Sequence, residues 1–231
     1  MKNFRELSYE NIKTGMLFRS EMHHNLKNSD INTLKKNNVK AVVDLRMPEE
    51  YEKEKDTEIS GIKYVHIPLI TMDYIKTNMM EEAKRIQANP SQDFIYRLFV
   101  RNDLKEAWTK IFDLLLEEEG ILFHCTTGKD RTGTVVMAIL EALGVGKDTI
   151  YNDYLLTNKN PIMPFKYKVR AFFFNKKKKA MFLENFCVRK ELLDTAYDEI
   201  NKEYGSIDKF LLDACGLTQE KRDLLKQKYL K

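Results

Sequence analysis

The segment that most constrains this fold is an apolar strand joined to a helix by a short polar loop. Residues 120–124 are apolar as far as His124, residues 125–130 are polar, and residues 131–143 carry a helical pattern that ends at Gly144. A strand that leads through a short loop into a helix is typical of a parallel sheet with helices packed on its faces.

The rest of the chain predicts strands early and helices alone near the end. Three further strands are expected, at residues 15–19, 39–45 and 62–67. Ser29 is expected to cap one helix, Pro48 to begin another, and residues 79–119 to be mostly helical. Three more helices are expected, at residues 188–204, 206–214 and 218–230. We therefore predict an α/β fold in a single domain of residues 1–231, with a central, mostly parallel sheet flanked by helices and a helical C-terminal part.

Composition favours a cytoplasmic globular protein. Hydrophobic residues make up 43% of the chain, yet no apolar run approaches the roughly 20 residues that cross a bilayer. Residues 1–6 lack the apolar stretch of a secretory signal, so export without a recognisable signal is the alternative to a cytoplasmic location. The three cysteines, Cys125, Cys187 and Cys215, are too few for a disulfide framework, and no cysteine or histidine spacing indicates a metal site.

A basic, aromatic segment at about residues 160–186 accounts for the positive charge of the chain. The formal net charge is +4, and no Asp or Glu occurs between Tyr154 and Leu183. A helical insertion, a mobile lid and a surface for anionic membrane lipids are all compatible with this pattern. The lipid interpretation depends on four consecutive basic residues, Lys176, Lys177, Lys178 and Lys179. Nucleic-acid binding is not expected, because a single lysine run beside phenylalanines is poor evidence for it.

The polar loop has the chemistry of a nucleophile inside an anion site. Cys125 follows the strand and Arg131 lies in the first turn of the helix. The helix N-terminus and the loop amides favour an anion at their centre, and the same field favours the thiolate form of a cysteine. The guanidinium fork of Arg131 can hold two phosphate oxygens at once.

The other loop residues are expected to contact the bound anion. Gly128 permits a tight backbone turn, Lys129 adds a cation, and Thr132 can hydrogen-bond the sulfur of Cys125. Thr126 and Thr127 complete the set of loop residues expected to bind substrate. His124 is expected to order the loop through hydrogen bonds.

The string HCTTGKDRTG at residues 124–133 resembles the HCx5R signature of the protein tyrosine phosphatase superfamily, and specifically its bacterial HCxxGKDRT branch. Further matches to that branch are scattered over most of the chain. They are the RS pair Arg19-Ser20, the DLR motif at residues 44–46, the DYLLTN string at residues 153–158 and the YGS string at residues 204–206.

The resemblance implies a cysteine-phosphatase-like fold and catalysis through a phosphocysteine, without a metal or other cofactor. It also implies phosphotyrosine proteins or phosphoinositides as substrates. Asp130 is the leading candidate for the general acid, because it lies inside the loop and the branch places a proposed acid there. Asp73 and Asp103 are rival acids on segments that precede the loop.

Three residues outside the loop are expected to border or support it. Asp44 and Arg46 end a buried strand, where they either contact substrate or form a structural ion pair. Asp153 is expected to support the loop rather than react.

Three other functions compete with a phosphatase. A binding module that recognises phosphorylated partners would be expected to lack the cysteine, the arginine or the acid, and all three are present here. A rhodanese-like sulfurtransferase rarely combines the preceding His with the following Arg-Thr. An arsenate reductase needs a resolving thiol near Cys125, and neither Cys187 nor Cys215 is near it in sequence.

Overall fold

A mostly parallel sheet forms the centre of the protein, as predicted. The computed structural model describes residues 1–9, 11–86, 93–159, 174 and 186–231. Within these residues the strands are β1 (Arg5–Glu6), β2 (Leu17–Ser20), β3 (Ala41–Asp44), β4 (Lys63–His66) and β5 (Ile121–His124). Their order in the sheet is β1-β2-β5-β3-β4. Strands β2, β5, β3 and β4 are parallel to one another, and only the short edge strand β1 is antiparallel to its neighbour.

Helices cover the sheet and continue to the end of the chain. In the described ranges they are α1 (Asn28–Lys36), α2 (Pro48–Lys53), α3 (Met72–Ile86), α4 (Phe94–Leu98), α5 (Lys105–Glu117), α6 (Asp130–Leu143), α7 (Lys147–Leu156), α8 (Lys190–Tyr204), α9 (Ile207–Asp213) and α10 (Gln219–Tyr229). The predicted helical C-terminal part is therefore confirmed by α8, α9 and α10.

Two helix starts differ from the sequence prediction. Helix α1 begins at Asn28, where Asp30 accepts a hydrogen bond from the Lys27 amide at 3.1 Å, instead of being capped by Ser29. Helix α3 begins at Met72, seven residues earlier than predicted, and the Thr71 hydroxyl accepts a hydrogen bond from the Tyr74 amide at 3.2 Å. In α1 a side chain of the first turn satisfies the amide that precedes the helix, and in α3 the side chain that precedes the helix satisfies an amide of the first turn.

The central strands β3 and β5 are buried on both faces, which explains why their first three residues are apolar without alternation. Val42 of β3 and Leu122 of β5 pack into a small core on one face. Val43 and Phe123 point to the other face and join the larger core, together with Trp108 of α5. Helix α6 is almost wholly buried in that larger core, so its N-terminus is held firmly at the end of β5.

The register of the sheet sets one row of side chains at its carboxyl edge. Ser20 and Asp44 are paired with His124 on its two sides, and His66 is paired with Asp44. The loop that follows His124 therefore leaves the sheet between β2 and β3. Ligands bind at this edge in open α/β sheets.

The predicted insertion at residues 160–186, with Lys176, Lys177, Lys178 and Lys179, lies outside the described residues apart from residues 174 and 186. The assignment of residues 1–231 to a single domain stays a prediction. Among the described residues, none of the helices combines the length and the apolar character that crossing a membrane requires.

Candidate active site

Cys125 lies at the base of a tight loop between β5 and α6. Its side chain is buried, and α6 begins five residues later at Asp130. The turn depends on Gly128, which has a φ of +63°. A Cβ atom built there would lie 2.0 Å from the Ser20 carbonyl oxygen, a distance that backbone atoms cannot tolerate. The loop can therefore reach this conformation only with glycine at position 128.

The surroundings of Cys125 favour the thiolate form of its side chain. Burial alone would raise its pKa, but the positive charge of Arg131 and the polar groups of Thr132 outweigh burial and bring the pKa below the ordinary value for a thiol. Thr132 is buried beside Cys125 and contributes to the lowered pKa of the thiol, and within the described part of the chain its hydroxyl has no other hydrogen-bond partner. A hydrogen bond from this hydroxyl to the sulfur of Cys125 stays a prediction.

The carboxylate of Glu50, on α2, accepts hydrogen bonds from both terminal nitrogens of the Arg131 guanidinium group. Arg131 Nη2 donates to Glu50 Oε1 at 3.0 Å, and Nη1 donates to Oε2. The Thr126 hydroxyl donates to the same carboxylate at 2.5 Å. Burial would raise the pKa of Glu50, yet Arg131 and Thr126 lower it to about 2. The guanidinium group of Arg131 is thus oriented by a carboxylate that is ionised at neutral pH.

Asp153 supports the loop from behind, through Arg19. The Asp153 carboxylate accepts a hydrogen bond from Arg19 Nη1 at 2.6 Å, and Arg19 Nη2 donates to the carbonyl oxygen of Gly128 at 2.7 Å. Arg5 and Tyr9 also donate to Asp153, at 2.7 and 2.8 Å. The Asp153 carboxylate is thus buried and occupied by several donors, which suits a supporting role behind the loop.

His124 links the loop to a second buried carboxylate, Asp56. Its Nε2 atom lies 2.8 Å from Asp56 Oδ2, and its Nδ1 atom lies 3.2 Å from the Cys125 carbonyl oxygen. Burial would lower the pKa of His124, but Asp56 raises it above the usual histidine value. The His23 ring stacks on His124 with centroids 4.9 Å apart. His124 thus orders the start of the loop through both ring nitrogens.

Asp44 and Arg46 form a buried ion pair, which favours the structural alternative over contact with substrate. Arg46 Nη2 lies 2.7 Å from Asp44 Oδ2 and 2.9 Å from Asp56 Oδ1. Asp44, Asp56 and His124 each place one potential ligand atom within 4.8 Å of the others, which is a spacing that suits a metal ion. The guanidinium of Arg46 already supplies the positive charge that these two carboxylates require.

Asp130 faces a pair of tyrosines at the mouth of the loop. The Tyr96 hydroxyl donates to Asp130 Oδ1, and it lies 2.6 Å from the Tyr154 hydroxyl. Lys129 Nζ is 3.6 Å from the same carboxylate, whose side chain is 32% exposed. Among the three acids considered, Asp130 lies in the loop itself, whereas Asp103 pairs with Arg101 at 3.9 Å and Asp73 lies in the first turn of α3.

A family model described as the tyrosine phosphatase family matches residues 1–231. The chain belongs to the tyrosine phosphatase family. It is accordingly a phosphatase, a hydrolase that removes phosphate groups from its substrates.

Individual relatives of this tyrosine phosphatase are distant in sequence. It is 27% identical over 256 residues to the triple specificity protein phosphatase PtpB of Mycobacterium tuberculosis, a match that covers 94% of this chain and 92% of PtpB. It is also 27% identical over 207 residues to a Cupriavidus necator protein named as a tyrosine-protein phosphatase, covering 88% of this chain and 75% of that protein. Superposition on the catalytic core of the Saccharomyces cerevisiae PP-IP phosphatase SIW14 gives a TM-score of 0.43 at 18% identity, over 80% of this chain and 93% of that chain.

Sequence reasoning missed the side chains that reach this phosphatase's loop from elsewhere in the chain. They are Asn3, Glu50, Asp56 and Tyr96. Glu50 belongs to a run of acidic residues that resembles an ordinary solvated helix face, and Asn3 stands in a terminal segment without a motif. Strand pairing in the sheet and the packing of α4 bring these segments, which are distant in sequence, to the loop.

Proposed function

We propose that this phosphatase hydrolyses phosphate monoesters through a covalent phosphocysteine on Cys125. The observation that carries the proposal is the placement of a buried Cys125 between β5 and the N-terminus of α6, where the positive charge of Arg131 favours the thiolate. A thiolate at the bottom of an anion site is a nucleophile, and the site that binds the phosphate places its phosphorus next to the sulfur.

The reaction has two steps. In the first, Cys125 Sγ attacks phosphorus, the bond from phosphorus to the ester oxygen breaks, and Asp130 gives its proton to the leaving oxygen. In the second, Asp130 takes a proton from a water molecule that attacks phosphorus, and the bond between phosphorus and Sγ breaks to release inorganic phosphate. Arg131 and the loop amides stabilise the negative charge on the equatorial oxygens in both steps.

The proposed substrates are phosphotyrosine proteins, phosphoinositides or both. The relative PtpB carries the name triple specificity protein phosphatase, which supports a site that accepts more than one phosphate ester. Lys129 lies at the mouth of the loop beside Asp130 and would suit a headgroup with several phosphates.

A panel of substrates tests this proposal. Phosphate release is measured on phosphotyrosine, phosphoserine and phosphothreonine peptides, on soluble inositol phosphates and on phosphoinositide vesicles. Cys125→Ser is compared with Cys215→Ser, which alters a buried cysteine of the larger core. Phosphate release that is lost only in Cys125→Ser supports the proposal, and the preferred substrate identifies the subclass. A wild-type protein that binds phosphopeptides but hydrolyses nothing would instead be a binding module.

A further inference from the structure

The N-terminal segment reaches the back of the phosphate loop through one side chain, that of Asn3. Asn3 Nδ2 donates to the carbonyl oxygen of Gly128 at 2.7 Å and to that of Thr127 at 3.2 Å. These two groups are more than 120 residues away from Asn3 in sequence, and β1 brings Asn3 to them by pairing with β2. No motif in the sequence marks this contact.

The orientation of the Asn3 amide is fixed by a second residue, Arg5. Arg5 Nη1 donates to Asn3 Oδ1, so the amide oxygen faces Arg5 and the amide nitrogen must face the loop. Arg5 is itself held by Asp153 at 2.7 Å. The Asn3 backbone has a φ of +55°, a left-handed conformation that asparagine adopts more readily than most non-glycine residues.

Two donors therefore converge on one loop carbonyl. Arg19 Nη2 and Asn3 Nδ2 both lie 2.7 Å from the carbonyl oxygen of Gly128. In a planar trans peptide the carbonyl and the next N–H point in opposite directions. Holding the carbonyls of Thr127 and Gly128 toward Asn3 turns the amides of Gly128 and Lys129 toward the opposite side of the loop.

We propose that Asn3 is a positioning residue, which holds two amide N–H groups of the loop in the direction that binds the phosphate oxygens. Asn3 itself does not touch substrate. It acts on the same groups that lower the energy of the bound anion, so its loss weakens anion binding and transition-state stabilisation together. This inference rests on the proposed function, because it assigns those amides to a phosphate ester.

The test replaces Asn3 without straining the backbone. Asn3→Gly removes the side-chain donor and is compatible with the positive φ, so the fold is expected to be retained. The matched control is Asn25→Gly, because Asn25 has the same φ of +55° and its exposed side chain contacts His24 instead of the loop. Melting temperatures of both variants verify that they are folded.

Affinity for inorganic phosphate is measured by isothermal titration calorimetry, and kcat/KM is measured on the best substrate of the panel. For Asn3→Gly we expect the Kd for phosphate to rise by about 10-fold and kcat/KM to fall by about 10- to 100-fold, with Asn25→Gly unchanged. The inflection pH for alkylation of Cys125 should also rise, which loss of packing alone would not cause.

The two proposals can fail separately. If no ester in the panel is hydrolysed, the proposed function fails, while the phosphate affinities of wild type and Asn3→Gly still decide the role of Asn3. Equal phosphate affinity and an equal alkylation profile in wild type and Asn3→Gly would overturn the inference. A wild-type protein that does not bind inorganic phosphate would overturn both.

Discussion

The guanidinium group of Arg131 pairs with the carboxylate of Glu50, and this ion pair links helix α2 to the loop. Both terminal nitrogens of Arg131 donate to the Glu50 carboxylate, and the Thr126 hydroxyl joins them. A bidentate pair of this kind fixes the plane of the guanidinium group as well as its place. The carboxylate therefore presents Arg131 to an incoming phosphate in one orientation.

Replacing Glu50 by glutamine tests that role. Glu50→Gln loses the charge that orients Arg131, so we expect kcat/KM to fall by about 10- to 100-fold. Glu49→Gln is the matched control, because Glu49 is the exposed neighbour on the same helix. Steady-state kinetics on one aryl phosphate measure kcat/KM for wild type and for both variants. An increase in kcat/KM would mean that Glu50 competes with phosphate for Arg131, contrary to this account.

The acid role of Asp130 predicts a dependence on the leaving group. Asp130→Asn should lower kcat/KM, which reports cleavage of the ester bond, by about 100-fold for phenyl phosphate, whose leaving oxygen needs a proton, and far less for para-nitrophenyl phosphate. Tyr96→Phe removes the hydroxyl that donates to Asp130 and should show the same pattern with a smaller loss. Equal losses of kcat/KM on both substrates would assign protonation of the leaving oxygen to another group.

The chemistry of the loop was predictable from sequence because its residues are contiguous. Cys125, Asp130 and Arg131 lie within one strand–loop–helix unit, so their proximity follows from local structure alone. Glu50 and Asn3 reach the loop only through the strand order of the sheet. Pairing between distant strands is not encoded in any local pattern, and these residues could not be placed from one sequence.

At the scale of elements, most strands and helices could be predicted from the sequence. The central strands are uniformly buried, so each of them is a short apolar run that is easy to recognise. Strands β3 and β5 are buried at every residue, and the left-handed C-cap Gly144 ends α6 where predicted. Strand β1 was missed, because two residues are too few to show a strand pattern. Its consequence is large, because β1 contains Arg5, which contacts Asp153, and follows directly on the segment whose Asn3 contacts the loop.

Helix α6 also depends on a close approach at Gly133. A Cβ atom built there would lie 2.7 Å from the ring of Tyr154 in α7. Alanine favours a helix over glycine by about 1 kcal/mol, but overpacking a core costs about 1 to 3 kcal/mol. We therefore expect Gly133→Ala to lower the Tm by a few degrees, about 2 to 4 °C for each kcal/mol lost. Calorimetry measures the change.

A double variant separates the clash from other effects. Tyr154→Leu shortens the side chain that meets Gly133, so the double variant should be destabilised by less than the sum of the two single variants. A higher Tm for Gly133→Ala would show that helix propensity outweighs the contact with Tyr154.

At the scale of the whole molecule, the buried groups behind the loop make stability depend on pH. Burial and the neighbouring His124 lower the pKa of His23 to about 3, whereas an unfolded histidine titrates near about 6.5. Between these values the unfolded chain binds one more proton than the folded chain. The free energy of unfolding therefore falls as the pH falls through this range, by up to about 1.4 kcal/mol per pH unit.

His23→Phe should remove that slope, because phenylalanine keeps a ring to stack on His124 but binds no proton. His24→Phe is the matched control and should keep the slope. Urea unfolding at pH values from about 6.5 to about 4.5 measures it. Below that range both proteins should lose further stability, because the pKa values of Glu50 and Asp56 are lowered to about 2 and their protonation favours the unfolded chain. An unchanged slope in His23→Phe would refute the assignment.

The central claim is that Cys125 is an ionised nucleophile within a phosphate site, and alkylation by iodoacetate tests it most directly. The account predicts that Cys125 is labelled first, with an inflection pH below the value of about 8.5 for a free thiol. Phosphatase activity should fall in step with labelling, and inorganic phosphate should protect both. Cys215 should stay unlabelled in the folded protein, because burial raises the pKa of its thiol. Activity that persists after Cys125 is fully alkylated would contradict the account.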